Sequence, residues 1–322
     1  MKNYLFLPLL MLPFLLACSG HSFNLPGQSA SFQQTPTYNN KVDLLFLSDD
    51  SSAMLPYRQQ MGTQAQAIIN RLNAMGMDYH IAVTTTSVGA GYKGGTFIGN
   101  TYLTKATPNV ATALANNLAF NVPGSDLEQG LTSLQLSLSA SNLQNSGGGF
   151  LRSDALLAVL IMSSDDDYSS GTVASVVSFF NTLKKPFANG APSWVANYVG
   201  SLTLHSTCSN FVNVGSRYVQ LAQANSGIVE SICNTDWSVT MSDVQVMISQ
   251  LMTNYYLSSQ PNPATIVVTV NGSTVTNNSL NGWTLQSSGT GTATQYYIEF
   301  HGSAIPTLYS SVKVSFTPAS AN

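Results

Sequence analysis

Acidic and hydroxyl side chains follow two strongly apolar segments of this sequence. Asp49 and Ser51 come just after the apolar run 42–48, and Asp165 comes after the apolar run 155–162. A further hydroxyl, that of Ser125, stands ahead of a segment with regularly spaced leucines. Carboxylate and hydroxyl oxygens are hard ligands that suit Mg²⁺ or Ca²⁺ better than zinc. These residues can form a divalent-cation site if the fold brings them together.

The elements that would position them alternate between strands and helices. Five short apolar runs have the texture of buried strands, at residues 42–48, 79–85, 155–162, 198–204 and 228–232. Helix-period stripes follow them, at residues 61–72, 127–138, 173–183, 217–224 and 244–251, and a weaker strand is predicted at 96–103. This alternation predicts an α/β fold with a doubly wound, mostly parallel sheet. Ligands bind such sheets beyond the carboxyl ends of the strands, where the acidic residues are expected.

The segment Asp43–Met54 resembles the first strand and metal loop of a von Willebrand factor A domain. The family pattern is Asp-x-Ser-x-Ser after such a strand, commonly followed by Met. Asp49 and Ser51 match the first two ligands of that pattern, whereas Ala53 stands where the family has its second Ser. The resemblance covers residues 42–257 and implies a Rossmann-like fold with a metal-ion-dependent adhesion site. Ala53 removes one hydroxyl from that site.

The same resemblance implies the remaining ligands and the mode of binding. Ser125 stands where the family has a Thr, and Asp165 is the best match for its distant Asp. The implied cofactor is Mg²⁺, with Ca²⁺ or Mn²⁺ as alternatives. In the family an acidic side chain of a protein partner completes the coordination of the cation. The resemblance is greatest to lipid-anchored bacterial members that carry a C-terminal β-rich piece.

Each candidate ligand also has a structural interpretation. Asp49 and Ser51 can accept hydrogen bonds from backbone amides in a strand-to-helix turn. Ser125 and Glu128 have the spacing of a capping box at a helix N-terminus. In the acidic run 165–167, either of the other two aspartates can face the site instead of the first, or the whole run can be a solvated turn. The sequence leaves these alternatives open.

The N-terminal segment has the features of an export signal. Lys2 precedes an apolar stretch at residues 4–17, which is shorter than the roughly 20 residues that span a bilayer. Leu15-Leu16-Ala17-Cys18 resembles the bacterial lipobox, which implies removal of residues 1–17 and lipid attachment at Cys18. Ser19, in place of an Asp, favours the outer membrane over the inner membrane. Residues 18–40 lack apolar periodicity and are predicted to form a flexible tether.

A second domain is predicted after the α/β segment 41–257. Residues 258–263 read as a linker, and residues 262–322 show strand patterns without a helix-period stripe. Within them, Asn271-Gly272 is a strong β-hairpin signal. Cys208 and Cys233 predict one disulfide in an oxidising compartment, the alternative being two buried thiols.

Composition and motifs limit the function classes. Only 8% of the residues are charged and the net charge is −3, so the chain lacks the clustered cations that bind nucleic acid. Two residues after Asp49 stands Ser51, so the paired aspartates of Mg²⁺-dependent phosphoryl transfer are missing. We therefore expect a cation-dependent adhesion lipoprotein and not an enzyme. The alternatives are an envelope scaffold with a vestigial metal site and, less favoured, a Mg²⁺-dependent hydrolase.

Overall fold

A computed structural model describes most of the chain after residue 39. The described residues are 40–145, 147–187, 192–203, 213–234, 236–243, 254–288, 294–306 and 310–319, with the backbone alone for 30–32. The signal segment 1–17, Cys18, Cys208 and the helix expected at 244–251 lie outside them. The Cys208–Cys233 disulfide therefore stays a prediction. No helix within the described residues has the length and apolar character needed to cross a membrane.

A five-stranded parallel sheet forms the centre of the first domain, as the sequence predicts. Its strands are β2 (Lys41–Ser48), β3 (Asp78–Thr85), β4 (Leu156–Ser163), β5 (Trp194–Gly200) and β6 (Val229–Ser231). They lie in the order β3-β2-β4-β5-β6, and all four neighbouring pairs are parallel. Every residue of β4 is buried, which explains why its sequence is apolar without alternation.

Helices cover both faces of this sheet. They are α1 (Leu55–Thr63), α2 (Ala65–Ala74), α3 (Val110–Leu118), α4 (Gly130–Ser137), α5 (Ala140–Gln144), α6 (Val173–Leu183) and α7 (Ser216–Gln223). On β2, Leu44 and Phe46 pack with the apolar residues of α1, α2 and α3. Leu45 and Leu47, which point to the opposite face, pack with those of α4, α6 and α7. The domain is therefore an α/β domain with two apolar layers.

Several element boundaries differ from the sequence prediction. The stripe 61–72 forms two helices, α1 and α2, and the sequence pattern does not predict α3. The strand predicted at 198–204 begins at Trp194 and ends at Gly200. The weak strand predicted at 96–103 is wrong, because Gly99 takes a left-handed conformation (φ 78°) and only Leu103 bridges to β3.

The second domain is built from β-strands. These are β7 (Tyr255–Leu257), β8 (Val267–Val270), β9 (Ser273–Val275), β10 (Trp283–Ser288), β11 (Gln295–Phe300) and β12 (Val312–Phe316). They belong to two antiparallel sheets that share one apolar core. Asn271 and Gly272 connect β8 to β9 with positive φ angles of 51° and 80°, which confirms the predicted hairpin.

Two short strands cross the domain limits drawn from the sequence. β1 (Ala30–Phe32), inside the predicted tether 18–40, pairs with β12. β7, assigned to the α/β segment 41–257, pairs with β11. Each of these strands pairs through its backbone with the edge of a sheet. A hydrophobic pattern over only three residues is too short to predict such pairing. The tether is therefore not free along its whole length, and the β domain begins by residue 255.

Truncation of the central strand tests the assignment of the core. Leu157 in β4 is fully buried, so Leu157→Ala should lower the free energy of unfolding of the α/β domain by about 2–5 kcal/mol. Leu136→Ala is the matched control, because Leu136 on α4 is 44% exposed and should cost about 0.5 kcal/mol or less. Urea unfolding followed by circular dichroism measures both. Equal losses would contradict the proposed position of β4.

Candidate functional site

Asp49 follows β2 directly and is completely buried. Its Oδ1 accepts a hydrogen bond from the Ser51 amide (2.8 Å). Its Oδ2 accepts bonds from the Ser163 hydroxyl (3.1 Å) and from the Ser164 amide and hydroxyl (both 3.2 Å). Asp49 is therefore held across the end of the sheet against the residues where β4 ends.

Asp50 is also buried, and it points to the end of β3. Its Oδ1 accepts hydrogen bonds from the hydroxyls of Ser87 (2.5 Å) and Thr86 (3.4 Å). Its Oδ2 is buried and has no hydrogen-bond partner among the described residues. Gly124 packs on Asp50 so closely that a Cβ atom there would lie 2.4 Å from the Asp50 carbonyl oxygen. The segment ahead of α4 thus lies directly on Asp50.

Glu128 adds a third buried carboxylate from that same segment. It is 2% exposed, and its Oε2 accepts a hydrogen bond from the Thr86 hydroxyl. Its carbonyl oxygen accepts a bond from the Tyr168 amide (2.6 Å). One carboxylate oxygen each from Asp49, Asp50 and Glu128 lie within 4.8 Å of one another. We call these three residues the carboxylate cluster.

Arg58 lies beside the carboxylate cluster but binds the backbone. Its Nη1 donates to the carbonyl oxygens of Asp49 (2.8 Å) and Ser51 (2.9 Å), and its Nε donates to that of Phe120 (3.2 Å). Its guanidinium also stacks over the Phe120 ring, 4.7 Å from the centroid. Burial lowers the pKa of Arg58, while the charges of the carboxylate cluster oppose that shift. Arg58 therefore shapes the loop and offsets part of its negative charge.

The environment of Glu128 disfavours its charged form. Burial and then the charge of Asp49 raise the pKa of Glu128 to about 9, against an ordinary value of 4.5. The hydrogen bond from Thr86 opposes this shift. Without a cation, Glu128 therefore keeps a proton at neutral pH.

The candidate residues from the sequence occupy different places at this edge. Asp49 belongs to the carboxylate cluster, and the Ser51 hydroxyl is buried without a hydrogen-bond partner among the described residues. Ala53 lies exposed in a short 3-10 turn, residues Ser52–Met54. Ser125 is half-buried, its amide donates to the Ser87 hydroxyl (2.8 Å), and its own hydroxyl accepts a bond from the Leu127 amide (3.1 Å). Ser125 thus lies beside the cluster with its hydroxyl engaged locally.

The capping-box alternative for Ser125 is wrong. The helix that follows, α4, begins only at Gly130, and the residue preceding it is Gln129. Glu128 is engaged with Thr86 in the cluster, so it does not occupy the third position of a helix capped by Ser125. The spacing Ser-x-x-Glu therefore marks a cluster residue here and not a helix start.

Asp165 is directed to the margin of the site. Its Oδ1 accepts hydrogen bonds from the Asn213 side chain (2.8 Å), the Asp166 amide (2.7 Å) and the Tyr168 hydroxyl (3.4 Å). It is half-buried and does not belong to the group of three carboxylates. The structure therefore brings Asp165 to the same edge of the sheet without bringing it into the cluster.

The next two aspartates hold helix N-termini. Asp166 accepts a bond from the Arg217 amide at the start of α7 (2.9 Å). Asp167 accepts a bond from the Leu131 amide at the start of α4 (2.9 Å) and forms an ion pair with Arg217 (2.9 Å). Negative charge at these positions is favourable. Asp166 and Asp167 thus have structural roles at helix starts, and the buried Asp167 is not part of a solvated turn.

Sequence reasoning missed Asp50 and Glu128 as cluster residues. The family pattern leaves the position of Asp50 undefined, and the spacing of Ser125 and Glu128 indicates a helix cap. The hydroxyl run 84–87 at the end of β3, whose Thr86 and Ser87 bind these two carboxylates, was the available signal for a polar pocket at this position.

The cluster has the properties of a cation site. Its donors are hard oxygens, and two buried oxygens, Asp50 Oδ2 and Ser51 Oγ, have no partner among the described residues. Like charges this close are unfavourable unless a proton or a cation separates them. The residues present therefore fit a divalent ion such as Mg²⁺, Ca²⁺ or Mn²⁺.

The comparisons with known proteins do not establish a family. No family model matches the chain, and no curated protein matches it. Among solved structures, it is similar to proximal thread matrix protein 1 from the mussel byssus, with 13% identity and a TM-score of 0.39 over 66% of this chain and 47% of that one. It is also similar to the pilus adhesin SpaC from Lactobacillus rhamnosus GG in an open conformation, with 9% identity and a TM-score of 0.43 over 86% and 38%. The chain thus matches less than half the length of either protein.

The raised pKa of Glu128 predicts how stability depends on pH without a cation. Between pH 4.5 and about 9 the folded protein keeps a proton that the unfolded chain releases, so the melting temperature in EDTA should fall as pH rises through this range. Glu128→Gln cannot ionise and should flatten this dependence. Asp126→Asn is the control, because Asp126 is exposed on the same segment and should leave the slope unchanged. An equal slope in all three proteins would contradict the assignment.

Proposed function

We propose that the α/β domain is a divalent-cation-dependent binding module of the von Willebrand factor A type. The observation that carries this proposal is the carboxylate cluster: three buried carboxylates from two segments lie within 4.8 Å of one another at the carboxyl end of the sheet. Mg²⁺ is the first candidate cation, with Ca²⁺ and Mn²⁺ as alternatives. The resemblance of Asp43–Met54 to the family supports the same assignment.

Three carboxylates and one hydroxyl would hold the cation. Asp49, Asp50 and Glu128 supply charged oxygens, and Ser51 supplies a hydroxyl whose oxygen is buried and unpartnered among the described residues. A bound cation supplies a positive centre that can accept an oxygen of a partner. Hydrogen bonds from Ser163 and Ser164 orient Asp49, so this ligand needs little rearrangement to bind.

The cluster lies just beneath a surface that suits a protein partner. Leu127, next to Glu128, is 58% exposed, and Tyr168, whose amide binds the Glu128 carbonyl, is 44% exposed. Exposed aliphatic and aromatic side chains beside a cation provide apolar contact area around one charged interaction. We propose that the partner is a protein that presents an acidic side chain to the cation. This makes the domain an adhesion module and not an enzyme.

The sequence supports an envelope location for this module. We propose that residues 1–17 are removed, that Cys18 carries the lipid, and that the protein is anchored to the bacterial outer membrane. Part of the segment after Cys18 would be the tether, and β1 would connect it to the β domain. A disulfide between Cys208 and Cys233 fits an oxidising compartment of this kind.

Removal of one cluster carboxylate should weaken cation binding. Asp50→Asn deletes a charge at a residue whose Oδ2 has no hydrogen-bond partner among the described residues, so the fold should tolerate it. We expect calorimetric titration with Mg²⁺, Ca²⁺ or Mn²⁺ to show an affinity loss of at least about tenfold, or 1.4 kcal/mol. Asp126→Asn should bind as the unchanged protein does. If the unchanged protein binds no cation, the scaffold with a vestigial site replaces this proposal.

Cation dependence should extend to partner binding. An array of immobilised peptides that differ only in an Asp or its Asn counterpart tests the acidic partner directly. We expect the purified α/β and β domains together to bind Asp peptides in Mg²⁺, to release them in EDTA, and to lose binding in Asp50→Asn. Binding that persists in EDTA would contradict a cation-mediated contact.

The lipid anchor has a separate test in cells. Cys18→Ala should abolish incorporation of labelled palmitate and move the protein from the detergent-rich to the aqueous phase, because lipid chains provide the membrane affinity. Ser19→Ala, one residue further on, should remain labelled. Equal labelling of both variants would contradict acylation at Cys18.

A further inference from the structure

We infer that Glu128 is a resident ligand of the cation, at the coordination position that a partner's carboxylate would take, so that partner binding requires Glu128 to leave. This inference rests on the proposed function, because it concerns the same cation. The first support is that the segment before α4 contributes a carboxylate, and not a hydroxyl, to the carboxylate cluster. Ser125 from that segment uses its hydroxyl on the Leu127 amide, whereas Glu128 places a carboxylate in the cluster.

The charges around the cation provide the second support. The three ionised carboxylates of the cluster carry three negative charges, and the buried Arg58 beside them carries one positive charge. A divalent cation brings the local sum to zero. An incoming carboxylate then finds no excess positive charge. If Glu128 withdraws, the sum becomes +1, and the site attracts an acidic group.

The third support is the difference in how the carboxylates are held. Asp49 accepts four hydrogen bonds, including two from backbone amides, and is fixed at the end of β2. The Glu128 side chain accepts a bond from the Thr86 hydroxyl and has a further side-chain hydrogen bond with Asp49, but it has no backbone amide donor among these bonds and lies in an irregular segment between α3 and α4. Its neighbours Asp126 and Leu127 are exposed. Glu128 can therefore swing outward without breaking a helix or a strand.

An unpartnered buried oxygen points independently to a ligand here. Asp50 is 2% exposed, yet its Oδ2 has no hydrogen-bond partner among the described residues. Gly124 leaves no room for a side chain against Asp50, since an added Cβ would lie 2.9 Å from its Oδ1. The packed backbone thus closes that side of the site and leaves Glu128 as the displaceable group.

Water-proton relaxation with Mn²⁺ alone tests this inference. The method reports how many exchanging waters remain on the bound ion. We expect Glu128→Ala to bind Mn²⁺ about tenfold more weakly than the unchanged protein and to carry one or two additional waters. Acetate should displace these waters in Glu128→Ala and leave the relaxation of the unchanged protein unaltered. Asp126→Asn, with the same loss of charge on the same segment, should behave as the unchanged protein.

The possible outcomes separate the two proposals. If the unchanged protein and Asp126→Asn bind no Mn²⁺, the proposed function fails. If they bind Mn²⁺ and Glu128→Ala shows the same water number and the same lack of response to acetate, only the role of Glu128 is overturned. Glu128→Gln keeps the volume of the side chain and replaces Glu128→Ala if that variant does not fold. It should also gain the response to acetate, and no response would overturn the inference.

Discussion

The close approach of three buried carboxylates is the constraint on which the arrangement of residues at the carboxyl end of the parallel sheet depends. The other buried acids have cationic partners. The Asp43 carboxylate in β2 forms an ion pair with Nε of Arg152 (2.8 Å), and the Asp167 carboxylate forms one with Nη1 of Arg217 (2.9 Å). Beside the carboxylate cluster, Arg58 donates its hydrogen bonds to backbone carbonyl groups instead of to the carboxylates. The described residues thus leave a local deficit of positive charge that a divalent cation would balance.

The parallel sheet explains why the deficit arises at this place. The carboxyl ends of β2, β3 and β4 meet at one edge, and each contributes polar groups to it. β2 leads into Asp49 and Asp50, while the ends of β3 and β4 supply hydroxyls that orient them. Glu128 arrives from the segment before α4. A site built on strand ends has its ligands positioned by the core, so the proposed cation binding would be coupled to the stability of the domain.

The sequence predicts the strands that form this edge of the sheet more accurately than it predicts which residues meet there. Continuous apolar runs identified β2 and β4 because burial on both faces requires them, and Asn271-Gly272 identified the β8–β9 hairpin because few residues tolerate positive φ. The membership of Glu128 depends on where α4 begins, which local spacing does not determine. Likewise, the direction of Asp165 depends on a contact with Asn213, which is distant in sequence, as well as on one with the nearby Tyr168. Short pairing strands such as β1 escape prediction for the same reason.

Glu128 also bears on the loss of a hydroxyl ligand at Ala53. The missing hydroxyl at position 53 suggests a weakened site, whereas the third carboxylate from the segment before α4 adds charge to the cluster.

The most direct measurement of the central claim is an anomalous difference map from crystals grown with Mn²⁺. The account predicts one peak within about 2.0–2.6 Å of an oxygen from each of Asp49, Asp50 and Glu128. A map without a peak there, with the three carboxylates still within 4.8 Å of one another, would contradict it.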